Sequence, residues 1–414
     1  MRSVLLLAAL ACATSVARGQ RQPVTRAVAI ATALARAPGL ALARANSSSA
    51  SALLARAREI ENPSFSAGYT KSAPQQHVSL DIPVELPWVR RPRVLGAESA
   101  VLAAAQRFRF QREFIAFTID TIYTRAQAAA QLARLSRATA ADADSLVALA
   151  GVRRDAGDGT ELDVQLAIVS AGQLARQSAR DSLDAESALL ALQQSMGLPE
   201  DTLAIALADS LVPAGAGDTR AVRALADAAG VDNGRTTLAL VAAAEADLRA
   251  ADLAVLAERR RVFGVPAVSL GFETHDPSGG ETGILPTIGF SMPLPIFNRN
   301  RASVAVAQAE RQRALAALAL TRLEGWAQVA RARRELRLAS SSVTKSAGLL
   351  AAANRVVALS LLAYREGAST LPDVLAAQRS AREAQAQYVS DVAALYSASA
   401  LVRLVSLSVN QSIP

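Results

Sequence analysis

The chain has 414 residues, 51% of them hydrophobic, 19% charged and only 4% aromatic, a composition that fits long helices packed through alanine and leucine and argues against both disorder and a compact enzyme. Its lone cysteine, Cys12, excludes a disulfide framework or a thiolate zinc centre, and His77 and His275 are too few and too scattered for a histidine metal site. The formal charge of +8 comes from arginines spread along helical stretches without interleaved aromatics, which is a solvated helical face and not a nucleic-acid surface.

Residues 1–19 have the form of a secretory signal. Arg2 lies near the start, an apolar run extends from Val4 to Ala13, Ala17-Arg18-Gly19 ends the segment, and cleavage is expected after Gly19. The rival reading is a lipoprotein signal with Cys12 as the lipidated residue, preceded by the weak match Ala9-Leu10-Ala11. No later run is expected to be long and apolar enough for a transmembrane helix, so entry into a membrane would have to be by strands.

Residues 20–62 are expected to form N-terminal helices, followed by a first β-hairpin over 63–87. There Phe65, Ala67 and Tyr69 alternate with Ser64, Ser66, Gly68 and Thr70. After a turn from Lys71 to Gln76, Val78, Leu80, Ile82, Val84 and Leu86 alternate with Ser79, Asp81, Pro83 and Glu85. One face is apolar and the other polar.

Proline is absent between Pro92 and Pro199 and again between Pro295 and Pro372, and inside those windows Val94–Ala150, Leu162–Met196 and Ala302–Arg365 read as helices; Asp373–Val405 reads likewise. At 1.5 Å per residue the first would be roughly 85 Å long, so the helical body is elongated. Gly151, Gly157, Gly159 and Gly367 are expected to turn each long helix back on itself. The first long hairpin is thus placed at 88–199 and the second at 296–405, with a tail at 406–414. Between them, 200–235, carrying Pro213, Gly215, Gly217, Asn233 and Gly234, reads as a linker wrapped around the helices, and 236–265 as a further helix. A second β-hairpin is expected over 266–295. In it Val268, Leu270 and Phe272 alternate with Ser269, Gly271 and Glu273, and Ile284 through Leu294 alternate in the same way beyond a polar loop.

The two halves repeat in order. Pro63-Ser64-Phe65-Ser66-Ala67-Gly68-Tyr69 corresponds to Pro266 through Phe272, Glu85-Leu86-Pro87 to Pro293-Leu294-Pro295, and Gly157, Thr160, Asp163-Val164 and Ala167 to Gly367, Thr370, Asp373-Val374 and Ala377. Four strands with an apolar outer face cannot close on themselves. The smallest membrane barrels use about eight, and an open edge in lipid strands backbone groups at several kcal/mol each. Several chains must therefore share one barrel.

The order of these motifs resembles the TolC-like outer-membrane factors, the exit ducts of tripartite efflux pumps and type I secretion systems. The resemblance runs from Val24 through Val405 and rests on Ala37-Pro38, Asn62-Pro63, Pro266-Ala267-Val268-Ser269-Leu270, Gly289 through Arg301, Tyr364-Arg365-Glu366-Gly367 and Asp373-Val374-Leu375-Ala376-Ala377-Gln378. The run Pro293-Leu294-Pro295-Ile296-Phe297-Asn298-Arg299-Asn300 is most similar to the heavy-metal efflux (CzcC-like) branch, without a glycine that the branch carries soon after it.

The resemblance implies a mainly α fold with a small β part. Long antiparallel helical hairpins would form a periplasmic tunnel, and four strands per chain would join a trimeric, twelve-stranded outer-membrane barrel. It implies a homotrimer in the outer membrane of a Gram-negative-type bacterium, in contact with lipid, a periplasmic adaptor protein and an inner-membrane transporter of the RND type. The duct would pass heavy-metal cations or drugs, with a type I secretion duct as the alternative. It also implies a periplasmic gate at Asp163, Tyr364 and Asp373, where Asp373 is either an axial charge or a helix cap; Ala376 stands where the family can carry a second acid.

Trp88 and Phe297 belong either to an aromatic belt at the membrane interface or to ordinary packing. Asp81, Glu85 and Glu273 are expected on the polar, lumen-facing side of the strands. Asn298 and Asn300 are expected to cap the following helix, Arg299 and Arg301 meet lipid phosphates or water, and His77 and His275 are expected at exposed loop edges. No nucleophile with a base, paired acid and base or phosphate loop is apparent, so neither catalysis nor a cofactor is expected. A secreted coiled-coil scaffold without a pore remains open, but it leaves both hairpins unexplained.

Overall fold

The computed structural model describes residues 22–72, 74–198, 205–211, 238–275 and 283–407. The expected signal segment with Cys12, most of the 200–235 linker and the end of the C-terminal tail lie outside the described residues. In chain order the elements are β1 (Gln22–Val24), α1 (Arg26–Arg36), α2 (Pro38–Arg58), β2 (Ser64–Tyr69), β3 (Gln76–Pro83), α3 (Pro87–Asp155), α4 (Glu161–Ser195), β4 (Ile205–Leu207), α5 (Ala239–Arg260), a 3-10 turn (Arg261–Phe263), β5 (Ala267–Thr274), β6 (Leu285–Ser291), α6 (Arg301–Arg365) and α7 (Leu371–Val405). The fold is mainly helical with a small sheet part, as the sequence leads one to expect.

Contacts divide the chain into two units. The turn-bearing unit comprises Met1–Ala35, Ile119–Ala216 and Leu349–Ala393; the sheet-bearing unit comprises Arg36–Thr118, Gly217–Gly348 and Ala394–Pro414. In the turn-bearing unit β1 and β4 pair in parallel, with Gln22 opposite Ile205 and Val24 opposite Leu207. A buried polar network fastens these short strands to α3. The Tyr123 hydroxyl donates to the Val24 carbonyl at 2.8 Å and to Asp209 at 3.1 Å, while Arg26 donates to Asp120, to Thr124 at 3.1 Å and to Gln127 at 2.9 Å. Buried polar groups are tolerable only when bonded in this way.

In the sheet-bearing unit four antiparallel strands lie in the order β2-β3-β5-β6, so the two hairpins join through β3 and β5. The helices of this unit pack around Leu238, Val241, Ala244, Leu318 and Val329, and salt bridges link Arg107 to Asp247 and Arg322 to Glu245.

Three differences from the sequence expectation have physical causes. First, α3 begins at Pro87 and passes through Pro92. The ring at 92 removes the donor that the Trp88 carbonyl would receive in a regular helix, and Arg260 Nη1 supplies one at 3.1 Å instead. Second, the strands end at Pro83 and Ser291, short of Leu86 and Leu294. Pro293 and Pro295 have no N–H to extend the ladder of β6. Third, α6 and α7 are each long and apolar enough by length and composition to cross a membrane, against the expectation that no run is. Stretches such as 348–364, where Arg355 is the one charged residue, count as apolar because alanine and leucine fill them.

Candidate functional site at the helical turns and the sheet

At the turns, the two repeats close their helices with the same backbone device. Asp158 N donates to the Arg153 carbonyl at 2.9 Å and Gly157 N to that of Arg154 at 3.0 Å; 210 residues on, Ala368 N donates to Ala363 at 2.8 Å and Gly367 N to Tyr364 at 3.2 Å. Gly157 (φ +84°) and Gly367 (φ +74°) occupy the left-handed position that ends such helices, where any side chain is strained. Gly159 brings its backbone against the preceding helix end, within about 3.1 Å of Arg154 N for a built Cβ.

The next helices start alike. Thr160 caps α4: its hydroxyl accepts from Asp163 N at 3.2 Å, and Asp163 Oδ2 accepts from Thr160 N at 3.1 Å and from its hydroxyl at 2.8 Å. At α7, Asp373 Oδ2 accepts from Thr370 N at 3.2 Å, from the Thr370 hydroxyl at 2.6 Å and from Ser369 at 3.3 Å. The Thr370 hydroxyl and backbone donors hold the Asp373 carboxyl below its ordinary range. Both aspartates are therefore third-position partners of a threonine at the helix start, each satisfied within its own turn.

Tyr364 is buried in a cluster with Leu146, Ala150, Val164, Ala167, Leu371 and Val374. The Arg153 guanidinium lies 4.6 Å over its ring, donates to the Tyr364 carbonyl, and donates to the Asp158 carbonyl at 3.2 Å. Burial raises the Tyr364 hydroxyl, Arg153 opposes this, and the nearby Asp163 charge adds to it. Among the described residues no hydrogen bond joins Tyr364 to Asp163. They share a neighbourhood, and the residue that ties the two turns is Arg153, which sequence reasoning did not single out. Its only signal was position: a cation in the last turn of α3 beside the glycine turn.

On the sheet, register aligns one polar and one apolar face. Ser269 donates to Asp81, Ser66 and Ser79 lie 2.8 Å apart across β2 and β3, and His77 Nδ1 meets Glu273 Oε1 at 3.1 Å. His77 is thus a strand residue paired across β3 and β5, not a loop-edge residue. His275 does end β5, with a positive φ of 66°. Glu85 is the exception among the expected lumen residues: it lies beyond β3, its side chain mostly enclosed, within salt-bridge range of Arg93 at 2.5 Å and of Arg90 at 3.5 Å. The strand stops before reaching it.

On the opposite face Phe65, Leu80, Leu270 and Ile288 lie in one row across the four strands, and Ile288 is 82% exposed. Trp88 is half exposed and Phe297 fully exposed. The Asn300 amide reaches back to the Glu258 carbonyl and carboxylate, both at 2.8 Å, instead of capping α6; Asn298 accepts from Asn300 N at 2.9 Å. Among the described residues no group of three or more His, Cys, Asp or Glu side chains is placed to hold a metal ion.

Residues 239–407 match the family model of the outer membrane efflux protein. The fold is that of solved outer-membrane proteins. The VceC structure from Vibrio cholerae superposes with a TM-score of 0.71 at 18% identity, covering 92% of this chain and 96% of that one. The CmeC channel of Campylobacter jejuni gives 0.70 at 15% identity over 94% and 87%. The open MtrE channel of Neisseria gonorrhoeae gives 0.67 at 20% over 91% and 88%. No curated protein sequence matches the chain.

Proposed function

We infer that this chain, whose residues 239–407 match the family model of the outer membrane efflux protein, is the passive exit duct of a tripartite efflux pump. The observation that carries the reading is the sheet: four strands, one polar face, one uncovered apolar face, and two unlike open edges, β2 and β6. An apolar face of this kind suits hydrocarbon, and open edges in hydrocarbon must be paired. Joining β6 of one copy to β2 of the next closes a ring; three copies give the twelve strands expected of this family.

In this arrangement Asp81 and Glu273 face the lumen, Trp88 and Phe297 meet the membrane interface, and the helical turns with Asp163, Tyr364 and Asp373 form the periplasmic gate. The partners are a periplasmic adaptor and an inner-membrane transporter of the RND type. The transporter sets the cargo, and the Pro293–Asn300 run supports a CzcC-like system.

The test is accumulation of a fluorescent pump substrate in cells lacking the gene. Wild type restores low accumulation and Ile288→Arg does not. Unchanged accumulation with wild-type protein present in the outer membrane contradicts the duct.

A further inference from the structure

Within the turn-bearing unit an open groove of about 690 Å³ runs between α4 and α7, with Thr139 of α3 at its margin. Arg176 and Arg180, one helical turn apart on α4, line it together with Arg379 and Arg382, again one turn apart on α7. No aspartate or glutamate lines it, while Gln173 and Gln378 add polar groups. Among the described residues Arg379 alone of the four has a carboxylate within 4.0 Å, the exposed Glu383 at 3.8 Å.

Charge on α4 is sorted by face. Asp181 and Asp184 line a separate groove against α3 together with Arg125, and Gln177 donates to Asp181 at 2.9 Å. Other arginines do pair with acids: Arg311 with Asp252, Arg313 with Glu310 and Arg322 with Glu245.

We propose that this groove binds a small ligand carrying two or more carboxylate or phosphoryl groups. Guanidinium forks pair with such oxygens two at a time. Four clustered cations, three of them without a carboxylate within 4.0 Å among the described residues, attract a multivalent anion far more than a monovalent one, and the volume is that of an ordinary small-molecule site. The assignment goes beyond the duct reading and holds whether or not the chain conducts.

The test is calorimetric titration of the full-length, detergent-solubilised protein with tripolyphosphate and with citrate, using acetate at matched ionic strength as the monovalent reference. Saturable binding of the multivalent ions is expected. It weakens at least tenfold in Arg176→Gln/Arg379→Gln, is partly retained in Arg176→Lys/Arg379→Lys, and is unchanged in Arg331→Gln/Arg337→Gln, two exposed arginines outside the groove. The lysine pair keeps the test informative should the glutamine pair fold poorly. Absence of saturable binding, equal weakening by the distant pair, or binding of poly-glutamate alone overturns the proposal, the last making the groove a protein-docking surface.

Discussion

Ile288 sits mid-strand in β6, opposite Leu270, with 82% of its surface free of the chain's own atoms. Arginine at this position therefore meets no steric obstacle within the sheet, and its cost is set by what surrounds the sheet. If water surrounds it, the change falls within about 0.5 kcal/mol, as for most surface substitutions. If hydrocarbon surrounds it, the cost is about 2–4 kcal/mol at the bilayer midplane, roughly 30-fold to several hundredfold in the folding equilibrium at 1.4 kcal/mol per tenfold. Ser291, on the alternate face of the same strand, is the internal control. Urea unfolding of the protein in lipid vesicles should show the larger loss for Ile288→Arg and less than about 1 kcal/mol for Ser291→Arg. Equal losses would refute the assignment of the two faces.

Removing the Arg153 guanidinium as Arg153→Gln takes away a ring contact of about 0.5–1 kcal/mol and charge-assisted bonds of about 1.5–3 kcal/mol; faster hydrogen exchange at 153–159 and 364–370 and entry of vancomycin into cells are expected, and unchanged values of both would remove Arg153 as the tie. Burial first, then Asp209, pushes the Tyr123 hydroxyl up to about 12. The neutral phenol's contribution is therefore complete below its ordinary value of 10.0 and lost as pH rises through about 12. Tyr123→Phe removes the bonds to Val24 and Asp209 while the Val24 carbonyl still accepts from Ala208 N at 3.0 Å, so it should cost about 0.5–1.5 kcal/mol at neutral pH and should flatten that alkaline loss in a denaturation series. Gly367→Ala places a methyl group at φ +74° and should cost about 1 kcal/mol, read as a lowered midpoint of thermal unfolding.

The hairpins were legible because alternation with period two over six or more residues has few other meanings, and the register confirms which side chains share a face. That β3 pairs with β5 was not legible: no local pattern links Leu80 to Leu270 across 190 residues. Strands β1 and β4, three residues each, are too short to alternate visibly. Pro92 misled the reading of the start of α3 because its missing donor is replaced by Arg260, far away in sequence.

At the turns, the left-handed glycine and the Thr-x-x-Asp spacing that follows it belong to local backbone chemistry and could be read directly. The stacking of Arg153 on Tyr364 is a contact across 211 residues between positions that are not equivalent in the two repeats, so the duplication gave no hint of it. Glu85 illustrates the converse: the right parity for the polar face, but past the point where the strand ends.

A passive duct must conduct across a lipid bilayer as the purified protein alone. Reconstituted at low copy number into a planar membrane under an applied voltage, it should give discrete, uniform conductance steps, and the Ile288→Arg variant should insert rarely. Wild-type protein that associates with the bilayer as a trimer yet gives no steps under any voltage or pH would contradict the duct.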